Sequence, residues 1–312
     1  MMPTLSAQTR LLVIAPHTDD ETIATGLLIQ QVRAAGGEVR VVLLTAGDNN
    51  PWPQRWLERR WHIGRVERQR WGERRVAEMT RAAALLQLPP SALHALGWPD
   101  MGVTDLLQEQ PTQTIAALTA HLTAFRPNLL ALPALADRHP DHSAAHVLLR
   151  LALASLDESP EGMAYLVHGT DDAVDATVTI APAGEQQACK LAALAEHRSQ
   201  MALSGQRMRH LAMPPERYLG LPKSPSPRTA GDASRPLPWQ PSRWLQPWLK
   251  LTMADPAGTR VWRWRQAPLQ RDRLGRYHLQ DAAIVAATPC FAKLQLDLPL
   301  VWIFDHWGWC EL

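Results

Sequence analysis

Only three cysteines occur in the 312 residues, Cys189, Cys290 and Cys310, and none are spaced as C-x-x-C. That excludes a disulfide framework and a cysteine-based metal site. Reduced thiols, and with them a cytoplasmic location, are the expectation. The first ten residues hold no basic segment followed by an apolar one, so no secretory leader is expected. No apolar run reaches the roughly 18–20 residues of a membrane helix. The longest candidate, Leu129–Ala136, contains Pro133 and reads as a buried strand with its exit loop. Charge of one sign is not in excess either: 32 Lys and Arg face 30 Asp and Glu, a formal net charge of +2. Such a chain has no global field to gather nucleic acid, and no nucleic-acid partner is expected. Phe and Tyr number three each, whereas Trp numbers 13.

What is present is an alternation of strands and helices. Leu11–Ala15 is a short apolar run with β-branched residues, typical of a buried parallel strand. Thr22–Ala35 has helical spacing and stops at Gly36-Gly37, and Val39–Thr45 is a second strand. A strand–helix–strand unit implies a right-handed crossover. Helices are predicted over Arg74–Leu88, Thr112–Phe125, His142–Leu156 and Glu185–Arg198. Strands are predicted over Ala92–Leu96, Leu129–Leu132, Met163–Val167 and Ala176–Ile180. The expected fold is a Rossmann-like α/β domain over residues 1–221, a mostly parallel sheet flanked by helices. Pro222–Pro241, rich in Pro, Ser and Arg, reads as a linker or long loop. Residues 242–312 read as a smaller β-rich extension, with strands at Val261–Trp264 and Phe291–Phe304 and a hairpin turn at Asp272–Arg276.

Two strand exits carry chemistry. His17-Thr18-Asp19-Asp20-Glu21 follows the first strand, and Asp137-Arg138-His139-Pro140-Asp141-His142 follows Leu129–Leu132. In α/β sheets ligands bind beyond the carboxyl ends of the strands. A catalytic zinc takes about three protein ligands and keeps one position open for water. His17, Asp20 and His142 meet that need. Asp19 is then placed to accept a proton from the attacking water. His139 could donate to the developing oxyanion or the leaving amine, with Asp141 orienting its ring. The competing reading is that the acids cap a helix and the histidine merely sits in a loop.

The two motifs resemble those of the PIG-L (LmbE-like) N-acetylglucosaminyl deacetylases, His-Pro-Asp-Asp-Glu and His-x-Asp-His. Thr18 replaces the usual Pro, which alters loop stiffness rather than a ligand. The likeness extends through Arg75-Val76-Ala77-Glu78, Trp98-Pro99-Asp100 and Lys190–Gln200, over roughly residues 10–215. The resemblance implies a divalent ion, Zn2+ with Fe2+ or another divalent ion as alternatives, held by His17, Asp20 and His142. It implies Asp19 as general base and His139, oriented by Asp141, as oxyanion or leaving-group partner. Arg75 and Asp100 become sugar-contacting candidates, with a turn residue or a surface pair between Arg75 and Glu78 as the bland readings. Asp48, after Gly47, is a further candidate. The implied reaction removes the N-acetyl group from an N-acetylhexosamine unit. An amidase acting on a non-sugar or thiol-conjugate amide, and a non-catalytic glycan-binding protein, remain alternatives. His197 and Ser199 are expected to fix a helix end.

Between Pro51 and Arg75 the chain interleaves Trp52, Trp56, Trp61 and Trp71 with eight arginines. Trp can stack on sugar faces or settle at a membrane surface, and Arg can pair with anions. The segment is a candidate contact for an anionic glycan or the inner membrane face. A lid packed for structure is the alternative. Trp302, Trp307 and Trp309 are expected to be core.

Overall fold

The computed structural model describes residues 3–156, 159–169, 176–221, 236–280, 288–297 and 305–312. In chain order its elements are β1 (Arg10–Ala15), α1 (Asp20–Ala34), β2 (Glu38–Thr45), α2 (Pro51–Glu58), α3 (Arg65–Leu85), β3 (Leu93–Trp98), α4 (Val103–Glu109), α5 (Pro111–Phe125), β4 (Leu129–Pro133), α6 (Pro140–Leu153) and β5 (Glu161–Tyr165). There follow β6 (Val178–Ile180), α7 (Gln186–Glu196), α8 (Arg198–Leu211), β7 (Glu216–Gly220), β8 (Leu249–Asp255), β9 (Gly258–Arg263), β10 (Leu269–Arg271), β11 (Tyr277–Leu279), β12 (Phe291–Leu296) and β13 (Trp309–Glu311). The chain divides into two compact units. One is Met1–Gly102 with His121–Ala134 and Pro160–Leu221; the other is Val103–Ala120 with Leu135–Ser159 and Pro222–Leu312.

The first unit holds a seven-stranded sheet ordered β3-β2-β1-β4-β5-β7-β6. Strands β3 to β5 are parallel, and β7 runs antiparallel to both β5 and β6. This is the expected mostly parallel α/β sheet. β1 and β4 are central because both faces of each must be covered, and every residue from Leu11 to Ala15 and from Leu129 to Pro133 is buried. The strand order reverses at this pair: β2 lies on one side of β1 and β4 on the other, in register Leu11↔Leu129 to Val13↔Ala131. Tyr165 donates its hydroxyl to the Ile14 carbonyl at 2.6 Å across the same centre.

Helix α1 buries Leu27, Leu28, Ile29 and Val32, and α7 lies against it. Gly26 allows this approach, since a Cβ there would stand 3.1 Å from Lys190 Cγ. Lys190 thereby reaches Glu216 at 2.7 Å, both buried. The Glu216 carboxylate also accepts the backbone N–H groups of Leu27 and Leu28 at 2.7 and 3.0 Å and the Tyr218 hydroxyl at 2.8 Å.

Some elements differ from expectation. α3 starts at Arg65 rather than Arg74, where Gly64 N–H donates to Glu67 Oε2 at 3.0 Å. α2 was not anticipated, although Asn50 caps it by accepting Trp52 N–H and Pro51 opens it. Its missing signal is an apolar stripe facing a core.

In the second unit, β13-β12-β8-β9 form an antiparallel sheet, and β10 and β11 form the hairpin turned at Asp272–Arg276. Leu237, Trp239, Leu251, Met253, Trp264 and Leu294 are among its core residues. Trp309 is buried and Trp307 packs against this core, as expected of the tail tryptophans. Trp302, residues 298–304 of the predicted last strand, and residues 222–235 of the predicted linker lie outside the described residues. α4 joins this unit through Gln108, which donates to Thr252 Oγ1 at 2.8 Å. Among the described residues no helix is long and apolar enough to cross a membrane.

Candidate metal centre

The first motif leaves β1 and turns into α1. His17 N–H donates to Asp20 Oδ2 at 2.8 Å, and His17 Nδ1 lies 3.4 Å from the same oxygen. This i,i+3 closure presents an imidazole and a carboxylate side by side. His17 Nε2 is 3.3 Å from Asp100 Oδ1, and Asp100 Oδ2 accepts Asn49 N–H at 2.7 Å. Burial would raise the Asp100 carboxyl, but His17 and Asn49 hold it below the usual aspartate range. A sequence-predicted sugar contact is thus also a neighbour of a predicted ligand.

Asp19 stands at the N-cap of α1 yet makes no side-chain cap hydrogen bond. Its Oδ2 lies 3.3 Å from Arg75 NH2. Burial pushes its carboxyl up, partly offset by the guanidinium, while the neighbouring Asp20 raises it further. Arg75 is itself buried and also donates to the Gly47 carbonyl. Gly47 has φ +65°, and a Cβ there would run into that guanidinium. The surface pair of Arg75 with Glu78 is not what forms. Glu78 takes Arg74 at 3.1 Å, together with the Ser199 hydroxyl at 2.6 Å. Half-buried Asp48 lies within electrostatic reach of Asp100 and Arg75; burial raises its carboxyl. Glu21 is spent structurally, accepting Thr22 Oγ1 at 2.8 Å and lying 3.5 Å from His197 Nε2. His197 joins α7 to α8, the helix-end role expected of it.

The second motif opens α6. Asp137, which the sequence reading passed over, organises it. One Asp137 oxygen accepts His139 N–H at 2.9 Å and the other lies 3.1 Å from His142 Nδ1. A carboxylate only accepts, so Nδ1 of fully buried His142 donates the N–H of this contact. That carboxylate–imidazole arrangement is what a metal-ligating histidine uses. His139 Nδ1 accepts Asp141 N–H at 3.2 Å, so its proton sits on Nε2, where it can be donated. The ring is therefore oriented by the Asp141 backbone as N-cap of α6, while the Asp141 carboxylate accepts Val103 N–H at 3.1 Å. The signal for Asp137 was available: an acid five residues before His142 in the same loop.

His168, just after β5, was also missed. One of its ring nitrogens lies within 4.8 Å of an Asp20 oxygen, and its Nδ1 is 3.3 Å from Arg207 NH2. Nothing local in the sequence marks it. Beside the first turn of α1 is a cavity of about 260 Å³, walled by Ile23, Tyr165, Val167 and Met213, with His210 and Arg217 at its polar side.

The donors could hold a divalent metal ion: imidazole and carboxylate, no thiolate, with a carboxylate behind the His142 imidazole.

A family profile described as GlcNAc-PI de-N-acetylase (PIG-L) matches residues 12–153. A 1D-myo-inositol 2-acetamido-2-deoxy-alpha-D-glucopyranoside deacetylase of Mycolicibacterium gilvum is 27% identical over 243 residues, covering 62% of this chain and 82% of that protein. The protein of the same description from Mycobacterium sp. (strain KMS) is 29% identical over 273 residues, 71% of this chain and 86% of its own. The fold is shared with N,N'-diacetylchitobiose deacetylase of Pyrococcus horikoshii, at a TM-score of 0.55 and 20% identity over 69% of this chain and 84% of that one. Residues 12–153, which span both motifs, are thus similar to a PIG-L domain.

Proposed function

We propose that the protein hydrolyses the N-acetyl amide of an N-acetylhexosamine unit in a glycan, glycolipid or glycoconjugate, releasing acetate and leaving the free amine. The observation that carries this reading is the pairing of β1 with β4 at the point where the strand order reverses, because each motif directly follows one of those two strands. The two relatives named above act, by description, on an acetamido sugar linked to inositol.

His17, Asp20 and His142 would hold one divalent ion, zinc by preference. When bound, that ion polarises the amide carbonyl and lowers the pKa of its water toward neutrality. Asp19 receives the proton of the attacking water; burial raises its carboxyl, and the Arg75 guanidinium beside it partly offsets that rise. The His139 Nε2–H donates to the amide oxygen as negative charge develops, or to the departing nitrogen. Asp141 keeps that ring in place. Water adds its oxygen to the acyl carbon, the C–N bond breaks, and the nitrogen leaves as amine once protonated.

Arg75, Asp100 and Asp48 would contact the sugar, since guanidinium and carboxylate groups pair well with hydroxyls. The segment from Trp52 to Arg75 leaves the Asp48–Asn49 turn and returns at Arg75, so it is tied to the site at both ends. Trp52, Trp56 and Trp61 are 61%, 67% and 88% exposed, and six arginines face two glutamates over residues 51–70. Bare tryptophan among cations suits an anionic glycan or the anionic inner face of a membrane, with the protein itself in the cytoplasm. These residues and the ion site all fall within residues 1–221, the proposed deacetylase domain. The deciding experiment is mass spectrometry of the purified protein with sugar nucleotides and cell-envelope glycans. Loss of one acetyl mass is expected, and its absence across N-acetylhexosamines would overturn the reading.

A further inference from the structure

Lysine is an unexpected occupant of the middle of β12. Lys293 is 2% exposed, flanked by the buried Ala292 and Leu294, and opposes Thr252 and Trp309 in the sheet register. Burying an ammonium costs several kcal/mol unless it is paired. An apolar side chain of similar length would fill the position at no such cost. Lys293 Nζ is paired with the Asp305 carboxylate and lies 5.8 Å from the centroid of the Trp309 ring. Asp305 in turn donates its backbone N–H to the carbonyl of Arg138 at 2.9 Å. Arg138 is the residue between Asp137, which holds His139 N–H and His142, and His139 itself.

We infer that Lys293 and Asp305 are positioning residues, an ion pair between buried Lys293 of β12 and the part-buried Asp305 ahead of β13 that holds the second motif through the Arg138 carbonyl. The inference rests on the deacetylase reading for its catalytic consequence. Two further contacts act along α6 in the same sense. Arg150 reaches both carboxylate oxygens of Glu311 at 2.8 and 3.2 Å, and the His146 ring stands edge-on to Phe291 with centroids 6.3 Å apart. The loop and the helix that carry the second motif are thereby fastened to β12, to Asp305 and to β13. Burial pushes the Lys293 ammonium below the usual lysine range, while Asp305 and then Asp141 pull it back up, so Asp141 also lies within the field of this charge. The extension would thus supply the fixed backbone on which the His139 and His142 rings depend. Displacing such a group by an ångström can cost about 100-fold in rate without touching the substrate.

The test uses the full chain with Lys293→Met/Asp305→Leu, which removes both charges and keeps apolar bulk. The isosteric Asp305→Asn serves as a milder second variant should the double one fold poorly. Lys250→Met breaks the Lys250–Asp297 pair of the same sheet and is the control for a merely structural loss. Expected are a fall in kcat of about 10- to 100-fold, KM within about twofold, and retained metal. Faster amide exchange confined to residues 137–142 is expected as well, with none of this in Lys250→Met. Wild-type kcat with unchanged exchange at 137–142, or the same losses in Lys250→Met, would overturn the inference. If the wild-type protein itself releases no acetate, the activity reading alone fails, and exchange at 137–142 still decides whether the pair holds the motif.

Discussion

Arg75 NH2 lies 3.3 Å from Asp19 Oδ2, and both side chains are largely buried. The helix that carries the arginine begins in the exposed Trp/Arg segment, while the aspartate belongs to the first motif. This pair joins two features that are far apart in the chain, and it frees Asp19 from capping α1. Asp19→Asn should retain the metal and lose about 100- to 10,000-fold in kcat, because an amide cannot take the proton of water. Turnover at the wild-type level would show that another group takes it. Arg75→Met should lower kcat less and raise the pH at which Asp19 ionises, since the offsetting cation is gone. The acidic limb of the pH–rate profile should therefore move up, and an unmoved limb would count against the pairing.

Purified protein should carry about one divalent ion per chain. His17→Ala and His142→Ala should each lose it, because two remaining donors compete poorly with water and buffer. Asp137→Ala should weaken metal affinity by about 10- to 100-fold, as expected when the carboxylate behind a ligating histidine is removed. Elemental analysis after dialysis against a chelator distinguishes these outcomes. Full occupancy in both histidine variants would remove them from the ligand set.

The Trp/Arg segment predicts a split between substrates. Arg60 and Arg70 are engaged with Glu67 and Glu58, so Arg55, Arg59 and Arg65 are the informative positions. Changing these three to Ala should weaken activity on a large anionic glycan or lipid-borne substrate and make it less salt-sensitive. A small neutral N-acetylglucosamine analogue should be turned over as before. Equal losses on both, with a lowered melting temperature, would mean that the segment acts only through packing.

Lys190→Met should destabilise the fold by about 3–5 kcal/mol, since Glu216 would keep its buried charge without its cation. Urea unfolding measures this directly. A change below about 1 kcal/mol would mean that the two backbone N–H groups and the Tyr218 hydroxyl satisfy Glu216 by themselves.

Cys310 gives a pH dependence with a definite sign. Burial, with Cys290 adding to it, pushes its thiol up to about 12. The unfolded chain then ionises first, so the stabilising contribution is full below the ordinary thiol range and is lost as pH rises through about 9 to 12. Between pH 8 and pH 10 the wild-type protein should lose about 1.4 kcal/mol more than Cys310→Ala. Parallel curves for the two proteins would show that the thiol ionises normally in the fold.

Some features of this protein follow from local pattern alone. β1, β2 and β4 were legible because a strand buried on both faces must be a short, continuous, β-branched apolar run. The two motifs were legible because imidazole and carboxylate cluster at the ends of such strands. α2 and the early start of α3 were not, because those turns bury little and carry no apolar stripe; their caps at Asn50 and Gly64–Glu67 are short-range signals easily overlooked. Asp137 stood in plain view five residues before His142, but its pairing, like the presence of His168, took coordinates to see, since their meaning lies in which nitrogen or oxygen they face. The same holds for Arg75, whose choice of Asp19 over Glu78 depends on where α3 packs, and for Lys293, which by sequence is one more charged residue in a strand. Periodicity and residue type act through neighbours in the chain, so the sequence by itself determined the sheet and the residue types gathered at its strand exits. Pairing of buried charges acts through space, so only the tertiary structure decided which acid each cation and each imidazole would hold.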